Sequence, residues 1–460
     1  MRRRNDLIRD RFEAVLSRNP RSNAAGLASE LGVSIPTVHR LVRELGDKIL
    51  IGGRAGRTRY AMRRALRGDV ADVPLYELNA EGNAELVAEL ALVRLEGSLM
   101  ALPEQGDFPI PDEARDGWWE GLPYPLYDMR PQGYMGRQLA NAEADRFQVS
   151  RDPAEWSDDD IVLMLSHLGA DTSGNLILGN LAYERWLNIK RAPPVSLRES
   201  ETGAAYVSYA EQAVAAGIPG SSAAGEFPKF LAVRELGGCK TPHVLVKFSG
   251  VEDSAAVRRW SDLLLCEHHA LESALPLPGI QSARSRIIQA SGRTFLELER
   301  FDRIGLFGRT PLISLESING AFLGMGTSDW TALGAKMVSA ELLDESLLPT
   351  IQQLWWYGKL IANSDMHLGN LSFLARGAFE LAPLYDMLPM LYAPLPGGEV
   401  PLRQYDPALP RPPQRAVWKA AAGAAERFWQ RAADDARISP PFRSICAANA
   451  RRLKETAALA

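Results

Sequence analysis

The first sixty residues carry apolar positions in two different periods. Residues 6–17, 24–31 and 35–45 place apolar side chains at helical spacing. In the third stretch Ile35, Val38, Leu41, Val42 and Leu45 form one stripe expected to be buried. Gly32-Val33-Ser34 predicts a tight turn before it. Ser34 is a good N-cap, and Pro36 falls in the first turn, where its missing N–H costs nothing. Thr37, His39, Arg40 and Arg43 lie off the stripe. The pattern then shortens to two strand-like pieces within 49–62, flanking a glycine-rich turn that holds Arg54, Arg57 and Arg59.

Residues 69–200 are less regular. A strand is expected at 73–78, a helix or strands over 84–102, irregular ordered chain over 103–135, and a helix at 158–168. From residue 200 the periods sharpen. Strands are predicted at 229–234 and 243–248, a helix at 254–274, and strands at 285–290 and 294–299. After 303 the chain reads mainly as helix, with a loop at 363–373 and a short strand at 380–383. A strand-rich lobe followed by a helical lobe is the order of a two-lobed kinase-like fold. The expected class is therefore α+β. Its units would be a small head (1–68), a linker with a strand-rich lobe (69–303) and a helical lobe (304–460).

Length and charge refine this picture. At 460 residues the chain exceeds one compact core. No apolar run is long enough to cross a membrane, and the N-terminus lacks a secretory pattern, so a cytoplasmic protein is expected. Three cysteines, far apart, suggest neither a disulfide framework nor a zinc site. The net charge of −4 is unevenly spread. Residues 1–68 hold sixteen Lys and Arg against six Asp and Glu, a balance of +10 that leaves −14 for the rest. A basic head on an acidic body points to a polyanionic partner. Three helices followed by a basic hairpin resemble the winged helix-turn-helix DNA-binding family. That resemblance implies Arg40 and Arg43, with Thr37 and His39, in the major groove. Arg54, Arg57 and Arg59 would then meet phosphate or the minor groove. Pairs of half-sites are read by dimers, so a homodimer is the expectation.

The candidate chemistry lies further on. Phosphoryl transfer from ATP needs metal held against the phosphates, a cation on their oxygens and a base for the acceptor hydroxyl. Asp365-Met-His-Leu-Gly-Asn370 has the Asp-to-Asn offset of a kinase catalytic loop. Asp386 follows an apolar strand-like stretch. One carboxylate as base, with one amide and one carboxylate as ligands for Mg²⁺, would meet those needs. Upstream, Lys247 ends an alternating apolar run, and Glu267 on the next helix could pair with it. Glu299 to Arg303 leaves a strand at the boundary between lobes, where an adenine ring is usually held.

In this order the parts resemble the HipA family of serine/threonine kinases, the toxin components of bacterial toxin–antitoxin pairs. The likeness covers 200–400, and the family's Asp-x-His-x-x-Asn motif stands here as Asp365-Met-His367-Leu-Gly-Asn370. It implies Asp365 as catalytic base, Asn370 and Asp386 as Mg²⁺ ligands, and Lys247 on the ATP phosphates. It also implies Glu299 and Phe301 beside the adenine and His367 within the ATP site. Ser222-Ala-Ala-Gly225-Glu-Phe-Pro-Lys229 fits the spacing of the family's phosphate loop, with Ser222 as the autophosphorylated residue and Gly225 at the phosphates. Residues 226–228 depart from the family's usual pattern there, and Pro228 removes a donor. The implied substrate is a protein, of the translation-factor or tRNA-synthetase kind. A head fused to the kinase replaces the separate DNA-binding antitoxin of ordinary members and suggests transcriptional autoregulation. Two other functions remain open on the sequence: a DNA-binding repressor whose kinase-like body only senses nucleotide, and a small-molecule kinase.

Overall fold

A computed structural model describes residues 2–215, 226–235 and 237–460. Ser222 and Gly225 lie outside the described residues. The chain gathers into two compact units. The first comprises Met1–Asn79, Asn83–Arg130 and Trp156–Arg191; the second comprises Ala80–Gly82, Pro131–Glu155 and Ala192–Ala460.

The first unit opens with helices α1 (Arg2–Arg18), α2 (Ala24–Leu31) and α3 (Ile35–Leu45). Asn23 caps α2 by accepting from the Gly26 N–H, and Gly32 ends it in the left-handed conformation, φ +67°. Val38, Leu41, Val42 and Leu45 are buried as the stripe predicts. Ile35 is not: it is 44 % exposed, because it sits in the first turn, beyond the packed face. The Ser34 hydroxyl also differs from expectation. It bonds the Thr37 hydroxyl (2.9 Å) and not a backbone N–H. Strands β1 (Ile49–Gly52) and β2 (Arg59–Met62) form the antiparallel hairpin.

This hairpin is stitched to the next sheet. Here β3 (Val73–Leu78), β4 (Ala84–Leu92), β5 (Ser98–Leu99), β6 (Trp118–Trp119) and β7 (Leu176–Leu178) run in the order β6-β5-β4-β3-β7. Residues 84–102 are thus strands, the second of the two sequence options. The Arg64 N–H donates to Leu92 O (2.8 Å) and the Arg94 N–H to Met62 O (2.7 Å). Leu50, Ala61, Ala91, Val93 and Trp118 share one small core. The helix predicted at 158–168 is α5 (Asp158–Leu168), closed by a Ser157–Asp160 capping box. Between these elements α4 (Gly133–Phe147), unpredicted by the sequence pattern, joins the second unit. Helix α6 (Asn180–Arg191) completes the first.

The second unit is the two-lobed, kinase-like body. Helix α7 (Glu199–Ala215) precedes a sheet of β8 (Lys229–Val233), β9 (His243–Phe248), β10 (Ser285–Ala290) and β11 (Arg293–Glu299), ordered β10-β11-β9-β8 and antiparallel throughout. Helix α8 (Ala255–Ala274) lies between β9 and β10 in sequence. The central strand β11 is buried at nearly every position because helices cover both sheet faces. A hairpin of β12 (Arg303–Ile304) and β13 (Gly308–Arg309) leads to a small sheet of β14 (Leu312–Ser314), β15 (Ser372–Ala375) and β16 (Phe379–Leu381). Helices α9 (Leu315–Ile318), α10 (Trp330–Ser339), α11 (Leu348–Leu360), α12 (Arg415–Asp434) and α13 (Pro440–Leu459) make the helical lobe. Among the described residues no helix is long and apolar enough to cross a membrane.

Helix α8 is tied to the helical lobe by buried polar contacts. The Asp262 carboxylate accepts from the Ser439 N–H (2.7 Å) and hydroxyl (2.6 Å) at the start of α13. The Tyr357 hydroxyl donates to Ala270 O (2.7 Å), and Arg259 donates to Tyr392 O (3.1 Å). Asp262→Ala would leave the half-buried Ser439 donors without their carboxylate. A loss of about 2–3 kcal/mol is expected, read as a lower denaturant midpoint for the second unit; an unchanged midpoint would show that α8 is held by apolar packing alone.

Candidate active site

Strand β9 sends alternate side chains to opposite faces of its sheet. Val244, Val246 and Phe248 join the core under α7 with Tyr206 and Phe295. Lys247 therefore faces the other way, towards α8. There its Nζ lies 2.7 Å from both oxygens of Glu267. The same ammonium also donates to Asp386 Oδ1, which arrives from the helical lobe. Lys247 is 3 % exposed.

Burial works against a charged lysine, but Asp386 and then Glu267 outweigh it and hold the ammonium above its ordinary pKa. Burial likewise raises the Asp386 carboxyl, yet Lys247 and then Lys229 bring it below the usual carboxylate range. Glu267 is pushed up to about 7 by burial, with Lys247 opposing and Asp386 adding to the rise. One cation thus stands between two carboxylates. Lys229, the first residue of β8, is the register partner of Lys247 and supplies a second positive charge nearby.

The Asp-to-Asn loop is built by its own hydrogen bonds. Helix α11 ends at Leu360, and Ala362 turns the chain at φ +60°. Asn363 Oδ1 accepts from the Asp365 N–H (3.0 Å), while its Nδ2 reaches Asp386 O (3.5 Å). Asn370 Nδ2 donates to Asp365 O (2.8 Å), closing the loop on itself. His367 Nδ1 accepts from the Gly369 N–H (3.1 Å). The Tyr385 hydroxyl lies 2.6 Å from Gly369 O and 2.7 Å from the Ser372 hydroxyl. Asp386 itself sits at φ +50°, a left-handed conformation that Asp tolerates better than most residues. Asp365 is exposed.

Asn370 and Asp386 carry oxygen donors of the kind that Mg²⁺ takes. With Nδ2 spent on the backbone, Asn370 offers its amide oxygen; Asp386 offers the carboxylate oxygen that Lys247 does not take. These are hard donors. Mg²⁺ commonly takes one or two protein oxygens and completes its shell with water and substrate phosphates.

The remaining expected residues are placed differently. Glu299 Oε1 accepts from the Lys240 N–H (2.9 Å), and the Phe301 ring stands 5.7 Å from that of Tyr385, next to Asp386. Both line a cavity of about 460 Å³ with Lys240, Arg284 and Arg376, whereas Lys247, Asn370 and Asp386 are not among its walls. On α3, His39, Arg40 and Arg43 are exposed and Thr37 is half-buried. Arg40 pairs loosely with Glu44 (3.8 Å). Arg54 and Arg57 are exposed on the hairpin turn, and Arg59 is half-buried. Other head arginines are spent internally: Arg63 on Asp72, Arg64 on Asp159 (2.8 Å), Arg67 on Asp160 (2.7 Å) and Arg21 on Trp119 O. The free basic surface is thus smaller than the charge count implies. Sequence reasoning missed Asn363 and Tyr385. Only the proximity of Asn363 to Asp365 could have signalled either.

The family model described as a HipA-like C-terminal domain matches residues 221–456, and that of a YjjJ-like toxin middle domain matches 69–187. The chain is 35 % identical over 435 residues to Toxin YjjJ of Escherichia coli (strain K12), covering 94 % of each. Among solved structures it is similar to HipA of Shewanella oneidensis MR-1, described with HipB and operator DNA, at 16 % identity and a TM-score of 0.47, covering 83 % of this chain and 96 % of that one. It is also similar to the Helicobacter pylori proinflammatory kinase CtkA, at 11 % identity and a TM-score of 0.34, covering 50 % and 88 %. On the near-complete match to a curated relative and the span of the C-terminal family model, the chain belongs to the HipA-like toxin family, among its YjjJ-like members.

Proposed function

We propose that the second unit is an ATP- and Mg²⁺-dependent serine/threonine protein kinase and that the head binds DNA. The observation that carries the first part is the buried Lys247 ammonium, held by Glu267 within its lobe and by Asp386 from the other. A lysine so fixed is ready to meet phosphate oxygens when Asp386 turns to the metal. Asn370 and Asp386 would hold Mg²⁺, which neutralises charge on the transferring phosphoryl group. Asp365, exposed on a loop fixed by Asn363 and Asn370, would orient the acceptor hydroxyl and take its proton. Glu267 keeps Lys247 in place. Ser222 is the first acceptor to examine, as the site of autophosphorylation.

The head supports DNA binding through Arg40, Arg43, Arg54 and Arg57, all exposed. Exposed Ile35 at the start of α3 adds an apolar tip that could meet a thymine methyl group. Binding of a kinase's own promoter would make the protein an autoregulator.

Three outcomes are expected. Asp365→Ala should lower phosphoryl transfer from labelled ATP, including transfer to Ser222, by about 10²-fold or more while ATP still binds. Equal transfer by both proteins would remove Asp365 from catalysis; ATP binding without transfer by the wild type would favour a nucleotide-sensing repressor. Lys247→Met would leave the buried Glu267 carboxylate without its cation and facing the partly exposed Asp386, so both ATP binding and stability should fall, by about 3–5 kcal/mol for the latter; an equally stable variant would contradict the buried Lys247–Glu267 pair. In a gel-shift titration against its own promoter, log Kd should rise with log salt, by about 0.9 per phosphate contacted. Arg43→Ala should flatten that slope, and an unchanged slope would place the DNA elsewhere.

A further inference from the structure

Helix α4 departs from the order of the chain. The segments before and after it belong to the first unit, whereas Pro131–Glu155 packs with the second. Tyr134, Arg137 and Gln138 are spaced i, i+3, i+4 and so share one helix face. That face holds two points on the kinase body. Gln138 Nε2 and the Tyr134 hydroxyl both donate to Ala213 O, at 2.8 and 3.2 Å. Ala213 is in the last turn of α7, where carbonyls have no partner within the helix. Arg137 donates to Glu226 Oε2 at 2.8 Å, with about a third of each side chain exposed. Gly133 sits at φ +61°, and a Cβ there would come within 2.6 Å of Glu226 Oε1.

Glu226 in turn holds Lys229 at 2.9 Å. Burial raises the Glu226 carboxyl, but Lys229 and Arg137 outweigh it, so the group stays charged. Lys229 is the register partner of Lys247. A continuous line of charge therefore runs Arg137–Glu226–Lys229 to the edge of the Lys247 site. The same helix face pins the end of α7 on the other side of residues 216–225.

We infer that Tyr134, Arg137 and Gln138 are positioning residues for the nucleotide phosphates: they fix α7 and the entry to β8 so that Lys229 stands where phosphate oxygens arrive. This rests on the kinase reading of the second unit. None of the three touches the reacting atoms. Their effect is on the fraction of molecules ready to bind, and apparent affinity falls in proportion to that fraction.

The test uses the full-length chain with Mg²⁺ and a fluorescent ATP analogue for Kd, together with steady-state transfer and thermal unfolding. Arg137→Ala should weaken ATP binding and raise KM by about five-fold, with kcat within about two-fold and the melting temperature unchanged. Arg137→Lys, which keeps the charge, should recover most of the loss. Asp145→Ala, on α4 but 88 % exposed at the side chain, should change nothing. Equal Kd for wild type and Arg137→Ala would overturn the inference, and so would kcat, KM and melting temperature all falling together. A wild type that binds no ATP would overturn both this inference and the kinase reading beneath it.

Discussion

A single ammonium group sets the terms for the kinase-like body. Lys247 is buried, and a buried charge survives only if its counter-ions are held as firmly as it is. Glu267 supplies one from α8 and Asp386 the other from the loop after β16. Each counter-ion needs its own support. Glu267 is fixed because α8 is anchored at Asp262, Ala270 and Arg259 to the helical lobe. Asp386 is fixed because Asn363 reaches its carbonyl and because Asp tolerates the left-handed turn. Lys247 thus adds a charge contact between the two lobes to the bonds at Asp262, Ala270 and Arg259.

The first unit obeys a different constraint. Its hairpin is continuous with the five-stranded sheet through backbone bonds at Met62, Arg64, Leu92 and Arg94. Several arginines that look available in the sequence hold this junction instead. On α3 and the hairpin turn Arg40, Arg43, Arg54 and Arg57 remain exposed.

Much of this was legible in the sequence where local signals act alone. Helix α2 ends at Gly32 and α3 begins at the Ser34-Ile35-Pro36 run, as the sequence dictates, and the strands around Lys247 follow a two-residue period. The Asp365 to Asn370 offset is likewise local. Ile35 misled because periodicity marks a face but not where packing along it stops. What stayed hidden depends on partners far along the chain. Arg137 meets Glu226, and Asp262 meets Ser439, only after folding. Nothing near Gly133 or Gly136 advertises that α4 leaves its neighbours to join the other unit. The charge count of the head overstated its free surface for the same reason, since Asp159 and Asp160 lie far outside it.

We propose that Lys247, Asp386 and Asn370 form the site for Mg²⁺ and ATP. Calorimetric titration of the full-length protein with ATP, with and without Mg²⁺, tests it most directly when wild type is compared with Asp386→Ala. Mg²⁺ should tighten ATP binding to the wild type and have no such effect on Asp386→Ala. ATP bound equally well by both proteins in Mg²⁺, or not bound by the wild type, would contradict it.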